Sequence, residues 1–314
     1  MPAQESYRHE ALLYRGPRDF LAKTVPFVLD GVALGQPVVV ALPQPRLDLL
    51  REALGGAAEQ VRLLDIAEVG PNPARIIPAW LEFLDEHGDA HPVRGLGEPV
   101  WPGRSALEVG ECRLHEALLN VAVEPDTRAW LRCAYDVAAL DDEVVDSALR
   151  SHPLVVDGTG PVGSPRYGGL AYVEDLFSGP LPEPAGRVDR AEFGAGDLAA
   201  VRGVVHQRAT EAGVGKDRAA DLVLAVTELA TNSIRHGGGS GVLRTWQQPG
   251  ALVLEVSDAG RVADPLAGRR APAWSQEGGR GLWLTNQLCD VVQVRSGEGG
   301  TTVRVFAPAG GQYS

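Results

Sequence analysis

Lysine is nearly missing from this chain of 314 residues: only Lys23 and Lys216 occur. Acidic residues outnumber basic ones 41 to 29, giving a formal net charge of −12 at pH 7. Such a surface repels a phosphate backbone, which argues against DNA or RNA as a partner. It equally disfavours an anionic membrane face. Long apolar runs are lacking as well. The longest aliphatic stretch is Val38 to Leu42, far short of the roughly 20 residues a membrane-spanning helix needs. The opening, MPAQESYRHE, has no basic segment followed by an apolar one, so no secretory signal is read there. Cysteine is scarce. Cys112, Cys133 and Cys289 are odd in number, far apart and match no metal spacing, so they read as small buried hydrophobes in a reducing compartment. Together these scarcities predict a cytoplasmic protein.

What the chain does hold is apolar material and breakers. Hydrophobic residues make up 44%, with 38 glycines and 23 prolines. The length suits two domains. The stretch SGPLPEPAG, 178–186, can hold neither a helix nor a central strand. It divides a first region, 1–177, from a second, 188–308, with a linker at 178–187 and a short tail at 309–314. In the first region short apolar runs, PVVVAL (37–42), QVRLLDI (60–66), AWLRCAYD (129–136) and HPLVVDG (152–158), alternate with helical spacings. Those helical spacings lie around Leu47, at Ile76 to Leu84, at Leu107 to Val121 and at Asp141 to Leu149. That order predicts an α/β fold with a mostly parallel sheet. The second region runs differently. Two helices (196–212 and 216–236) precede strands at 240–248 and 251–259, then a helix from about Gly281 and strands at 291–296 and 301–306. This predicts an α+β two-layer sandwich.

The second region carries the chemistry. On the helix 221–236, Leu222, Val226, Leu229 and Ser233 share one arc, while Glu228, Asn232, Arg235 and His236 share another. A carboxylate and a carboxamide therefore sit one turn apart. Asparagine is a poor residue in mid-helix because it competes for backbone hydrogen bonds. A carboxamide oxygen as a ligand for a hard metal is one reason to place it there. SDAG, 257–260, sets Asp258 at the end of an apolar strand with Gly260 two residues on. In GGRGLWLTNQLCD, 278–290, glycines run straight into a helix, whose N-terminus offers free N–H groups to an anion. GGTTVRVF, 299–306, is a glycine turn before a strand. Taken singly, each has a bland reading: a solvated helix face, an Asp-Gly turn, an ordinary helix start.

Taken in order, Glu-x-x-x-Asn, Asp-x-Gly, Gly-x-Gly-Leu and Gly-Gly-Thr-Thr resemble the GHKL superfamily, the Bergerat ATP-binding fold of gyrase, Hsp90 and histidine kinases. ELATNSIRHG (228–237), DAG (258–260) and GGRGL (278–282) look most like the anti-sigma-factor branch. Its members phosphorylate a serine on an anti-anti-sigma partner. The resemblance implies ATP and Mg2+, with Asn232 on the metal and Glu228 as general base. Asp258 would read the adenine amino group, helped by Gly260 and by Thr301 or Thr302. Gly279, Arg280, Gly281 and Leu282 would cover the phosphates beneath a mobile lid at 261–280. Arg235 and His236 fall beside the phosphates by spacing. A sigma factor, an anti-anti-sigma protein or both would be the partner, and related domains often form homodimers. Histidine kinases carry an acceptor histidine on a helical hairpin ahead of this domain. Here no such hairpin fits between 187 and 220, and His206 reads as structural. Two other readings stay open: an ATP-binding switch without kinase activity, and a sensor histidine kinase acting on a separate acceptor.

The first region resembles the MEDS sensory domain of methanogen, methylotroph and actinobacterial regulators. The likeness rests on HEALLYRG (9–16), GEPVW (97–101), LHEALLN (114–120), LRCAYD (131–136) and HPLVV (152–156). It implies a RecA-like fold that senses a small-molecule ligand such as a hydrocarbon derivative. The strand 37–42, taken as the first, is followed by PQPRLDLL, without the Gly-x-x-x-x-Gly-Lys-Ser/Thr of a phosphate loop. His9, Glu98, Glu108, Glu111, His115, Glu116 and Asp136 are the polar candidates. Glu108, Glu111 and His115 share a helix face, read as solvated or hydrogen-bonded rather than as a metal site.

Overall fold

A computed structural model describes residues 6–87, 91–158, 160–272 and 279–309. The chain divides into two units between Val173 and Glu174. The first unit opens with β1 (Arg8–Tyr14), α1 (Gly16–Ala33), β2 (Val38–Leu42), α2 (Gln44–Leu54), β3 (Arg62–Asp65), α3 (Ile66–Val69) and α4 (Ile76–His87). It continues with β4 (Val93–Gly97), α5 (Ala106–Ala122), β5 (Ala129–Asp136), α6 (Asp142–Ser151), β6 (Leu154–Val156), β7 (Pro161–Gly163) and α7 (Gly169–Ser178), which runs past the division. The sheet order is β3-β2-β4-β5-β1-β6-β7. All neighbours are parallel except the exposed edge strand β7, antiparallel to β6.

Alternation along the strands builds two covered faces. Leu12, Tyr14, Val38, Val40, Leu42 and Leu96 pack with Phe20 and Phe27 of α1 and Leu47, Leu50 and Leu54 of α2. The opposite face turns His9, Ala11, Cys133 and Tyr135, all buried, toward α5 and α6. The strand taken as first from the sequence is in fact the second. Its predecessor, β1, runs into α1 through Arg15 and Gly16, and Gly16 N–H donates to Asp136 Oδ1 at 3.2 Å. A carboxylate of the protein thus occupies that helix start, and no phosphate loop follows either strand.

The second unit holds β8 (Asp189–Gly194), α8 (Leu198–Glu211), α9 (Lys216–His236), β9 (Ser240–Gln248), β10 (Ala251–Asp258), α10 (Arg280–Leu288), β11 (Val291–Gly297) and β12 (Gly300–Pro308). Its sheet is antiparallel throughout, in the order β11-β12-β10-β9-β8. Helix α9 packs on α8 and α10 and buries Leu222, Ala225, Val226, Leu229 and Ser233. Edge strand β8 escapes the sequence reading because it is short and mostly polar, with only Phe193 buried.

The proline-rich stretch after α7 is tied down. Arg304 of β12 grips Glu255 of β10 through Nε at 2.8 Å and Nη2 at 2.6 Å, and its Nη1 donates to the Pro182 carbonyl at 3.1 Å. Arg244 of β9 bonds the other Glu255 oxygen at 3.0 Å and Glu183 at 2.6 Å. These residues are cross-strand neighbours, Glu255 standing opposite both Arg244 and Arg304. Opposite charges in register are the sheet counterpart of a helical ion pair. Among the described residues no helix is long and apolar enough to cross a membrane.

Candidate functional site

In the second unit the end of α9, the end of β10, the start of β12 and the start of α10 meet around one cavity. Its volume is about 590 Å3, within the range of small-molecule sites. Asn232, His236, Asp258, Gly260, Gly279, Leu282 and Thr301 line it. The buried arc of α9 seats the helix, so the next arc is presented to the cavity, and Asn232 stands half-buried at its wall.

Asp258 is held from two sides. Ser233 Oγ donates to its Oδ2 at 2.6 Å, and the Gly260 N–H donates to its Oδ1 at 2.8 Å. Thr301, opposite Asp258 in the ladder, donates from Oγ1 to the Gly260 carbonyl at 2.9 Å and shares a hydrogen bond of 2.8 Å with Ser296 Oγ. Gly260 is sterically required: a Cβ there would lie 2.4 Å from the His236 carbonyl oxygen. Of the two threonines, Thr301 is buried against the cavity, while Thr302, its neighbour on the strand, is not among the lining residues.

Helix α10 starts at Gly279, whose φ of +76° is left-handed and which has no side chain to cap the first N–H groups. One residue into the helix, Gly281 lies against α9. A Cβ at Gly281 would stand 2.8 Å from Asn232 Nδ2 and 3.2 Å from Glu228 Oε2. Glu228 therefore sits behind Gly281 rather than on the cavity wall, and Arg235, Arg280 and Gly281 likewise do not line it. Gly278 and the lid residues 273–278 lie outside the described residues. The described part of the lid is bonded: Asn286 Nδ2 donates to the Gly268 carbonyl at 2.9 Å, and the Val262 N–H donates to Ser296 Oγ at 2.9 Å. Arg261, Arg270 and Ser233 also line the cavity and were not singled out from the sequence. Ser233 had a signal, a hydroxyl on an otherwise apolar arc. His206 is exposed on α8, within the second unit.

The first unit gathers a second group at the carboxyl ends of its parallel strands. Tyr14 closes β1, Asp136 closes β5, Glu98 follows β4, and Arg46 projects from α2. Tyr14 donates to Glu98 Oε1 at 2.5 Å, and Arg46 Nη2 donates to Asp136 Oδ2 at 3.0 Å. Glu98 Oε2 is buried and accepts no hydrogen bond from the described residues. Burial raises the Glu98 carboxyl from its ordinary 4.5 to about 7, with Tyr14 and Arg46 opposing. The folded chain then keeps a proton that the unfolded chain has released, so stability falls as pH rises from about 4.5 to about 7. We expect Glu98→Gln to remove that slope. In urea unfolding the variant should match the natural chain near pH 5 and exceed it by about 3 kcal/mol near pH 8. Parallel pH profiles for the two chains would refute the assignment. Of the face expected to be solvated or hydrogen-bonded, Glu111 and His115 are buried, and Glu108 is hydrogen-bonded in a capping box with Ser105.

Comparison with known proteins follows this division. The model of the MEDS domain, the methanogen/methylotroph DcmR sensory domain, matches residues 8–153. That of the histidine kinase-like ATPase domain matches residues 193–306. No curated protein matches. One solved structure, the RsbU and RsbW domains of Rv1364c from Mycobacterium tuberculosis, is similar at 20% identity and a TM-score of 0.28. The match covers 38% of this chain and 34% of that one, so it spans about a third of the relative's length. The chain thus carries a MEDS domain in its N-terminal part and a histidine kinase-like ATPase domain in its C-terminal part.

Proposed function

We propose that the second unit binds Mg2+-ATP and transfers its γ-phosphoryl group to a serine or threonine of a separate protein, in the manner of an anti-sigma-factor kinase, under control of the first unit. The observation that carries this is the convergence on one cavity of Asn232, Asp258, Gly260, Gly279 and Thr301, which are scattered along the sequence. Asp258 accepts the adenine amino group, with Gly260 giving the base room. The uncapped start of α10 faces the phosphates. The residues fit Mg2+ through the Asn232 carboxamide oxygen, and the ion would neutralise charge on the phosphates. Glu228 takes the proton of the attacking hydroxyl. The partner is a sigma factor or an anti-anti-sigma protein. In the first unit a small molecule reaches Glu98 Oε2, which has only the Arg46 guanidinium 3.9 Å away and accepts no hydrogen bond from the described residues, at the strand ends where open α/β sheets bind ligands.

Partner capture with and without ATP, followed by phosphosite mapping, tests this. Serine or threonine phosphate on a captured partner supports it, and acid-labile phosphate on a histidine overturns it. One observation favours a second reading, an ATP-driven switch without transfer: Glu228 stands behind Gly281, off the cavity wall. ATP binding with no transfer to any captured partner would select that reading.

Gly281→Ala separates assembly from packing. The atoms its methyl group would meet first, Asn232 Nδ2 and Glu228 Oε2, are the ends of side chains that can swing away. Alanine also gains up to about 1 kcal/mol over glycine inside a helix. Thermal stability is therefore expected to hold, while Mg2+-ATP affinity falls about tenfold through a displaced Asn232, about 1.4 kcal/mol. Unchanged affinity, measured by calorimetry, would remove Asn232 from the site.

A further inference from the structure

We infer that the first unit holds one divalent transition-metal ion of the zinc type, bound by His9, Glu116, Cys133 and His152. One potential ligand atom from each lies within 4.8 Å of the others, and all four residues are buried. They come from four elements. His9 on β1 and Cys133 on β5 share a sheet face, as the register Ala11 to Cys133 requires. Glu116 comes from α5, and His152 caps the C-terminus of α6.

Hydrogen bonding fixes which atoms point inward. His152 Nδ1 lies 2.8 Å from the Ala148 carbonyl, which can only accept, so Nδ1 carries the hydrogen. Asn120 Nδ2 donates to the Ser151 carbonyl at 2.7 Å and faces the Ala117 carbonyl at 3.3 Å. Its Oδ1 must then be the atom 3.0 Å from His9 Nδ1, which therefore also carries a hydrogen. In the neutral rings both Nε2 atoms are consequently lone pairs. They converge on Glu116 Oε2, at 3.2 Å from His9 and 2.9 Å from His152. Cys133 Sγ is 3.5 Å from His9 Nε2. Acceptors facing acceptors in a dry interior need a cation among them.

A single proton bridges only one such pair. It leaves the second imidazole lone pair with at best the weak S–H donor of Cys133, 3.5 Å from His9 Nε2, and Glu116 Oε1 is also buried without a hydrogen bond from the described residues. A metal ion satisfies all four donors together. Tetrahedral bonds of about 2.0–2.1 Å to nitrogen or oxygen and about 2.3 Å to sulfur set donor separations of roughly 3.3–3.6 Å, near the 3.2 and 3.5 Å from His9 Nε2 to Glu116 and Cys133 and somewhat above the 2.9 Å from His152 to Glu116. Two imidazoles, a carboxylate and a thiolate suit zinc or cobalt rather than magnesium or calcium. Asn120 and the Ala148 carbonyl orient the two rings as outer partners, the arrangement metal-bound histidines use.

The test is Co2+ titration of the full chain after chelator treatment, read by visible absorption, with circular dichroism confirming a folded apo-protein. We expect one Co2+ per chain, tetrahedral bands and a thiolate charge-transfer band that disappears in Cys133→Ser. Asn120→Ala keeps all four ligands and should weaken Co2+ binding 10–100-fold; it also serves if the Cys133 variant does not fold. A folded natural chain with no Co2+ spectrum, or a charge-transfer band that persists in folded Cys133→Ser, overturns the inference. So does Co2+ affinity unchanged in Asn120→Ala.

Discussion

Asp258→Asn is expected to weaken ATP binding by 100-fold or more, with little change in stability. The carboxylate already accepts from Ser233 Oγ on one oxygen and from the Gly260 N–H on the other. Its remaining lone pairs turn toward the cavity, which it lines. A hydrogen bond to a charged acceptor contributes about 1.5–3 kcal/mol, and a buried donor left facing another donor costs about 1–3 kcal/mol more. The sum corresponds to a loss of about 100-fold or more at 1.4 kcal/mol per decade. Nucleotide choice gives a sharper readout than affinity. Guanine presents a carbonyl oxygen where adenine presents an amino group. The carboxylate repels that oxygen, whereas an amide can donate to it. The variant should therefore lose its preference for ATP over GTP. Ser233→Ala should act in the same direction more weakly, by about tenfold, since it removes one of the two donors that hold the carboxylate in place. Calorimetry with both nucleotides decides. A variant that binds ATP as the natural chain does would remove Asp258 from base recognition.

Much of this site was legible because its parts are local. Glu228 and Asn232 share a face by helical spacing alone, and Asp258 and Gly260 are two residues apart on a strand end. Thr301 over Thr302 was not legible. That choice depends on the antiparallel register placing Thr301 opposite Asp258. Nor was the retreat of Glu228 behind Gly281, which follows from how closely α10 approaches α9. In the first unit the helical run 107–121 and the strand 129–136 were readable from their periodicities. The strands 8–14 and 93–97 were not, because they place polar or charged residues such as His9, Glu10 and Arg94 in buried positions. Such charges break apolar patterns, and only pairing, as of Glu10 with Arg132 at 2.8 Å, makes their burial tolerable. The His9, Glu116, Cys133 and His152 cluster was hidden for a related reason. Its successive members lie 107, 17 and 19 residues apart, so no ligand spacing announces it, and only the fold of the first unit brings the four together.

Glu228→Ala is expected to leave ATP affinity within about threefold and to reduce phosphoryl transfer by about 10²–10⁴, the usual contribution of a positioned general base. The affinity should hold because Glu228 does not line the cavity. The rate should fall because the other carboxylates on that face of α9, Asp221 and Asp217, lie two and three turns before Glu228, away from Asn232. Alanine alone is ambiguous, since it also removes the side chain that Gly281 packs against. Glu228→Gln keeps that volume and loses only the basic oxygen. If the residue accepts a proton, glutamine and alanine should be equally slow. If it merely props α10 in place, glutamine should transfer at the natural rate while alanine stays slow. Rapid-quench measurement with a captured partner and labelled γ-phosphate distinguishes the two. Full activity in the glutamine variant would place the base elsewhere, and Asp264, which also borders the cavity, would then be the carboxylate to test.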